Sequence, residues 1–503
     1  MGIVEGLGLG LDVALSWTNV WFCFLGVLIG TLVGVIPGVG ALAAISMLLP
    51  LSFYLDPTTA IVMLAGVYYG TVYGGSTAAI LLNLPGVPSA AVACLDGYPM
   101  TKQGRGGVAL FLTTIASFGG SMLGLLALVL FADAISDIGL SLRPADYFLL
   151  MTLGLVAAAA IPTGSPLKGL AMVLIGLAMG YVGTDIATGM ARFAFGLPEL
   201  LDGISLVALA MGIFGISEVV ATAAQPRRKV AEQKITLRSM VPTRDDLRAM
   251  RMPVLRGAGI GGLFGALPGV GGTIACFISY ATEKRLSRHP ETFGHGAVEG
   301  LSASESANNS AIQTAFIPSL TLGIPGDAVM ALMLGALIIH GITPGPLLIE
   351  QQPGMFWGLI VSFVLGNLFL VILNIPLIGI WLKLLSIPYH FLFPAIVVFI
   401  CFGAYSVNAN PFDVWMLAVL GAVGWMLMLF GFQPAPLLLG FILGPMIEEN
   451  LRRSLQLSRG DFGTFVSDGL SIGLTLAIVA LLVMAVVKPV MAARRRGRAA
   501  QGG

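Results

Sequence analysis

The chain has 503 residues, 57% of them hydrophobic and only 10% charged, with 26 basic side chains against 25 acidic ones. A soluble domain carries roughly a quarter of its residues as charge, so composition excludes an ordinary soluble protein and points to a polytopic one surrounded by membrane lipid. The near-zero net charge says little about partners, because the charges are clustered.

Residues 1–20 carry Glu5 and Asp12 but no Lys or Arg, which favours an outward-facing N-terminus. No basic n-region suggests a cleaved signal peptide. Residues 21–50 read as a hairpin or broken helix around Pro37-Gly38, followed by a turn at Asp56-Pro57. A small-residue segment, 58–82, leads to a second break at Pro85-Gly86, and the chain emerges at Lys102 and Arg105 on the cytoplasmic side. Spans are expected at 107–131, 147–160, 168–183 and 203–224. Residues 226–256 hold nine cations, including Arg227, Arg228, Lys229, Lys234 and Arg256, and read as a cytoplasmic linker rather than a nucleic-acid site. Further spans are expected at 355–373, 391–402, 414–430, 436–446 and 471–487, with Lys488 and Arg494 to Arg498 anchoring an inside C-terminus. Arg452 and Arg453 fall on the outer side of this count.

The breaks recur. Gly30-Thr31-Leu32-Val33-Gly34-Val35-Ile36-Pro37-Gly38-Val39-Gly40 returns as Gly261-Gly262-Leu263-Phe264-Gly265-Ala266-Leu267-Pro268-Gly269-Val270-Gly271, and Asn83-Leu84-Pro85-Gly86 returns as Gly323-Ile324-Pro325-Gly326. Proline removes a backbone donor and clashes with the preceding turn, so each pair breaks a helix and frees backbone groups. In hydrocarbon these are tolerated only against protein or a water-filled cavity. Loop charge swaps between the copies: Lys284, Arg285, Arg288 and His289 answer a cation-poor first loop, and 341–354, with no cation, answers Lys102 and Arg105. The expected fold is therefore all-α, with two inverted-topology repeats (1–225 and 257–503, the second with an extra C-terminal helix) joined by the linker. It has broken or re-entrant helices and about 10–12 transmembrane segments.

Chemistry concentrates beside the breaks. Glu299-Gly300-Leu301-Ser302-Ala303-Ser304-Glu305-Ser306-Ala307-Asn308-Asn309-Ser310, running to Thr314, is too polar to face lipid. Its counterpart runs from Tyr68 through Tyr73 to Ser76 and Thr77. Helix N-termini after the breaks present unpaired amides and a partial positive field, which suits an anion. The substrate candidates are Ser76, Thr77, Asn83, Pro85, Gly86, Asn308, Asn309, Ser310, Gly323, Pro325 and Gly326. Freed carbonyls suit a coupling cation, with Gly38, Gly40, Gly269, Gly271, Thr314 and Asp327 as candidates; Asp327 either coordinates it or caps the following helix. Glu299 and Glu305 are either functional or interfacial. The glycine spacings 30/34 and 261/265 read as close helix packing. Arg192 and Lys168 read as topology-setting cations, His340 and His390 as core or interface residues, and the four cysteines as small hydrophobic filler. No Walker A sequence or metal-ligand spacing occurs, so no ATP hydrolysis, cofactor or resident metal is expected, beyond sodium or a proton as coupling ion.

At these residues the chain resembles the large membrane subunit of the tripartite tricarboxylate transporter family (TctA-like), the type exemplified by the bacterial citrate carrier. The resemblance covers nearly the whole chain. It rests on Tyr73-Gly74-Gly75-Ser76-Thr77 with Leu82-Asn83-Leu84-Pro85-Gly86, on Leu95-Asp96-Gly97-Tyr98-Pro99-Met100 with Gln103-Gly104-Arg105, on Glu305-Ser306-Ala307-Asn308-Asn309, and on Thr321-Leu322-Gly323-Ile324-Pro325-Gly326. It implies a secondary carrier of the bacterial inner membrane that takes up carboxylates with an ion gradient, beside a small membrane subunit (TctB-like) and a periplasmic solute-binding protein (TctC-like). The chain departs from the family pattern in having Val87-Pro88 after the first Pro-Gly, where Glu is common, and Asp327 after the second, where a small residue is usual. A mono- or dicarboxylate is thus as much expected as citrate. A passive channel is the alternative. A membrane-embedded enzyme comes third, because four isolated histidines offer no nucleophile–base pair.

Overall fold

The computed structural model describes residues 2–36, 39–85, 87–160, 165–185, 187–223, 235–269, 271–385 and 389–501. Pro37, Gly38, Gly86, Val270 and most of the basic linker's first half lie outside them, as do the side chains of Lys488, Arg494 to Arg498 and His390.

The described chain is helical throughout apart from one two-residue hairpin. Its first part runs α1 (Ile3–Ala14), α2 (Trp17–Val35), α3 (Ala41–Ser52), α4 (Pro57–Leu82), α5 (Ala91–Lys102), α6 (Gly106–Ser141), α7 (Pro144–Ala160) and α8 (Pro166–Gly180). The hairpin of β1 (Gly183–Thr184) and β2 (Ala191–Arg192) leads to α9 (Leu206–Ala210) and α10 (Ser217–Ala223), which are joined by a π-helical turn. Then come α11 (Arg244–Gly265), α12 (Gly271–Leu286), α13 (Val298–Leu322), α14 (Ala328–Ile339), α15 (Leu348–Gln351) and α16 (Pro353–Asn374). The chain closes with α17 (Ile378–Leu385), α18 (Tyr389–Asn408), α19 (Pro411–Leu429), α20 (Ala435–Leu457) and α21 (Gly469–Gln501).

Four described helices are long and apolar enough to cross a membrane: α2, α6, α16 and α19. Others are apolar but shorter, such as α3, α7, α8 and α14. Several expected segments change shape. The span at 107–131 is the middle of a 36-residue helix, and 203–224 is not one regular helix but is interrupted by the π-turn at Met211–Ile216. The break expected within 21–50 separates two helices, and 1–20 contains a helix of its own, whose Gly6 seats against the Trp357 ring of α16. The span at 436–446 extends to Leu457 and carries Arg452 and Arg453 on its last turns. Arg452 is paired there with Glu448 at 2.6 Å and with Asp185 of the hairpin at 3.1 Å, and Arg192 joins the same cluster. Thr188's hydroxyl first, then the Ala187 amide and the two arginines, hold the Asp185 carboxyl down at about 2.

Two helix pairs form the centre. Gly26, Gly30 and Gly34 of α2 lie on the backbone carbonyls of Met63, Val67 and Thr71 of α4, so closely that a Cβ at any of them would overlap the facing strand of backbone. Gly257, Gly261 and Gly265 of α11 make the same ladder on Ala303, Ala307 and Ala311 of α13. Without a hydrophobic driving force between helices in lipid, such small-residue contact is what lets backbones pack. On its other flank α13 meets α6, where Gly120 and Gly124 lie on Ser306 and Ser310. The glycine spacings thus serve packing.

Candidate functional site

Helices α4 and α13 are buried along almost their full length. Their polar residues therefore face protein instead of lipid, where an unpaired polar group costs several kcal/mol. Both helices end alike. Asn83 takes left-handed angles (φ 56°, ψ 37°), as does Gly323 (φ 69°, ψ 21°), and the prolines that follow two residues later, Pro85 and Pro325, prevent continuation.

The exits differ. After Gly326, Asp327 caps α14 by accepting from the Met330 amide at 2.8 Å, and its other oxygen accepts from the Tyr68 hydroxyl of α4 at 2.9 Å. The N-terminus of α14, expected to offer free amides to a substrate anion, is thus already matched with the protein's own carboxylate. After Pro85 no α-helix starts at once; a short 3-10 turn at Pro88–Ala90 precedes α5. At the first break, the Gly40 amide donates to Glu218 of α10 at 3.1 Å. At the second, the Gly269 amide donates to the Gly326 carbonyl at 2.9 Å, tying the two breaks of this half together. Gly269 (φ 78°) and Gly271 (φ 66°) adopt positive φ, which lets the chain turn sharply into α12.

The hydroxyls divide by what they bond. Ser310 donates to Ala258 of α11 at 2.8 Å, while Thr314 and Thr77 donate back to their own helices at Ser310 and Tyr73. All three serve backbone carbonyls here. Ser76 instead faces the Glu305 carboxylate, at 3.0 and 3.1 Å from its two oxygens, and Ser117 of α6 approaches the same group at 3.2 Å. Asn309 donates to the Glu305 backbone carbonyl at 3.0 Å, and Tyr69 donates to Gln313 at 3.1 Å. The Asn308 carboxamide oxygen lies beside Gly272, in the first turn of α12, and its amide nitrogen is buried without a hydrogen-bond partner among the described residues. Gln313 Nε2 is likewise without a partner among the described residues.

The constellation is closed: Glu305 and Asn308 are 3% exposed, Asn309 2% and Gln313 0%. Two open clefts lie elsewhere. One, of about 660 Å³, is apolar and runs between α3 and α18 past Pro50 and Phe402; the other, of about 530 Å³, is lined by Glu199, Asp202 and Asp413. Glu299 lies outside the constellation, accepting from Ser287 at 2.6 Å. Asp96, of the Leu95-Asp96-Gly97 motif, accepts three amides (Gly294, Gly296 and Ala297) at 2.8–2.9 Å, and so holds the start of α13. Lys168 is spent on the Phe430 carbonyl at 2.6 Å. Sequence reasoning missed Ser117, Gln313 and Glu218. A lone acid in the apolar run 204–224 was the available signal for Glu218, whereas nothing in the sequence separates Ser117 from other small helix residues.

The family model for the tripartite tricarboxylate transporter TctA family matches residues 20–439. A protein of Agrobacterium vitis described as an uncharacterized 52.8 kDa protein in the TAR-I ttuC' 3' region is 49% identical over 488 residues, which is 96% of this chain and 97% of that protein. A second from the same organism, described as an uncharacterized protein in the TAR-II ttuC' 3' region, is 57% identical over 227 residues, 44% of this chain and 94% of its own length. No solved structure matches.

Proposed function

The chain belongs to the tripartite tricarboxylate transporter TctA family and is a membrane component of such a transporter, and from that premise we propose that it is the large, multi-pass subunit of a binding-protein-dependent secondary carrier. It imports a tricarboxylate or other small carboxylate across the bacterial inner membrane, driven by a sodium or proton gradient. A small membrane subunit completes the membrane part, and a periplasmic binding protein delivers the substrate.

The observation that carries this reading is the Asn308 carboxamide: its oxygen lies beside the first turn of α12, after the Pro268-Gly269 break, and its buried nitrogen has no hydrogen-bond partner among the described residues. A buried donor left unpaired is costly, and a carboxylate bridging it to helix-start amides would satisfy both. Access to so closed a site requires movement. The glycine ladders make each helix pair a rigid unit, while polar contacts such as Tyr69–Gln313 and Ser76–Glu305 cross between the units and can exchange. Alternating access follows from rearrangement of one unit against the other.

Loop placement supports inverted repeats. The turn between α5 and α6 meets the loop before α13, where Gln103 donates to His295 at 2.8 Å. The α3–α4 loop instead meets the end of α14, where the Phe53 and His340 rings lie 6.3 Å apart. Corresponding loops of the two halves therefore lie against non-corresponding ones, as an inverted pair requires.

Vesicles containing this chain and its small subunit test the reading with a panel of labelled carboxylates, with and without the binding protein and each ion gradient. Accumulation above equilibrium that needs both is the expected result, and replacing Asn308 and Asn309 with Ala should cut it at least about tenfold with membrane levels intact. Flux that only equilibrates would make the protein a channel, and normal uptake by the double variant would remove these residues from the site.

A further inference from the structure

Glu305 has a chemistry that carboxylate binding leaves unused. Its side chain projects from α13 into the seam between α4 and α6 and is fully enclosed. Two hydroxyls, Ser76 and Ser117, are its hydrogen-bond partners, and Ser76 also lies 3.3 Å from its own helix's Val72 carbonyl. An ionised carboxylate offers about four acceptor sites, so two hydroxyl protons leave it under-satisfied. Among the described residues it has no ion-pair partner. The titratable groups that feel its charge are Tyr73 of α4, Cys94 of α5 and Cys276 of α12, all neutral near pH 7 at their ordinary values. On the adjoining helices, Arg256 of α11 is held by Glu283, and Asp327 of α14 is occupied by Tyr68 and the Met330 amide.

A lone carboxylate in such a place is strongly disfavoured as an anion. Protonation removes the charge and supplies a donor, and hydroxyls serve equally as donors to the carboxylate or acceptors from the acid. The spacings of 3.0–3.2 Å are those of hydrogen bonds. A hard metal cation would need about six oxygens around it, and this cluster brings two carboxylate and two hydroxyl oxygens. The site is also linked to the substrate candidates, because the Asn309 amide hangs on the Glu305 backbone carbonyl, one turn away.

We propose that Glu305 is the proton-binding site that couples this carrier to a proton gradient, an inference that rests on the secondary-carrier reading above. With the seam open to the outside, a proton forms an O–H bond with one Glu305 oxygen. With the seam open to the inside, that bond breaks, the proton passes to water and the electron pair stays on the carboxylate. The helix units reorient when proton and substrate are both bound and return when both have left; with only one of the two bound they do not, and this couples substrate import to the proton gradient.

Infrared pH-difference spectra of the full-length protein in lipid nanodiscs read this directly. The wild type should show a protonated-carboxyl C=O band that disappears on raising pH and shifts in D₂O. Glu305→Gln should lack it, while Glu305→Asp, which keeps the acid but withdraws it by one methylene, should move the band instead of deleting it. A spectrum unchanged by both variants overturns the proposal, as does a band removed by sodium chloride at fixed pH, which would assign the cage to sodium. In vesicles, Glu305→Gln should lose at least tenfold in accumulation driven by a pH gradient, and undiminished accumulation also overturns it. The spectral readout needs no substrate, so the two readings fail separately. A titrating Glu305 with no carboxylate accumulated sinks the carboxylate reading alone, and accumulation without the band sinks this one alone.

Discussion

The pairs α2–α4 and α11–α13 are built by one device and carry different chemistry. Each is a glycine ladder at four-residue spacing seated on carbonyls of a partner whose end adopts left-handed angles before a proline. On the outer faces of the ladders the likeness stops. Helix α4 brings rings and a hydroxyl (Tyr68, Tyr69, Tyr73, Ser76), whereas α13 brings a carboxylate and amides (Glu305, Asn308, Asn309, Gln313). The two sets bond to each other, tyrosine to glutamine and serine to glutamate. The polar constellation therefore belongs to neither helix pair alone: the pairs share one packing device and carry complementary contacts.

The frame can be broken most severely at its ladders. Gly261→Leu and Gly30→Leu each drive a side chain into facing backbone, which cannot rotate away as a side chain would. The expected cost is at or above the ~3 kcal/mol upper end of overpacking, seen as loss of monodisperse protein in detergent. Gly259→Leu, on the same helix as Gly261 but with open space around it, should express normally. Equal yields from Gly261→Leu and Gly259→Leu would show that the ladder does not hold the pair.

That frame was legible because its causes are local: glycine spacing and proline breaks leave marks in sequence, and Gly30/Gly34 and Gly261/Gly265 do in the structure what their spacing implied. The constellation was half legible. Glu305, Asn308 and Asn309 stood out as polar residues in apolar sequence, but Ser310, Thr314 and Thr77 stood out equally, and their hydroxyls are satisfied by helix carbonyls. Which hydroxyl serves a carbonyl and which a carboxylate depends on what α6 or α11 places opposite, and residues far apart in sequence decide it. The π-turn at Met211–Ile216 likewise depends on packing that composition does not record, whereas the cap of α14 by Asp327 is one of the two roles its sequence position offered.

The matched ends of α4 and α13 sharpen the comparison at a smaller scale. Both need a left-handed residue, and α13 uses glycine where α4 uses asparagine. Gly323→Ala should cost roughly 1–2 kcal/mol, since an alanine in that conformation is strained and its Cβ would also meet the Pro344 carbonyl at 2.9 Å. Asn83→Gly should change stability by less than about 0.5 kcal/mol, because glycine takes the same angles freely. Thermal unfolding of the two variants decides it. A folded Asn83→Gly protein that has lost uptake would place the Asn83 side chain at the substrate, and the ends of the two helices would then differ in role as well as in residue.

The smallest effect tests how the halves are joined at their loops. Arg105, from the turn before α6, reaches Asp246 in the first turn of α11 with both carboxylate oxygens at 2.7–2.8 Å, and Asp246 also accepts from the amide and hydroxyl of Thr243. Burial acts to raise this carboxyl, but the Arg105 guanidinium and the Thr243 bonds outweigh it and hold it below the usual carboxylate range. Its folded value is depressed, so its contribution is complete above the unfolded value of about 4 and is lost as pH falls through the lower folded value. Because Arg105 is 37% exposed on its side chain, water screens the pair and the contribution is expected at only about 0.5–1 kcal/mol. Asp246→Asn should therefore unfold at slightly lower temperature than wild type at pH 7, with the gap closing at low pH once the wild-type carboxyl is itself protonated. A gap of the same size at both pH values would mean that the charge does nothing and that the Thr243 cap alone holds the start of α11, leaving the two halves joined through their buried seam.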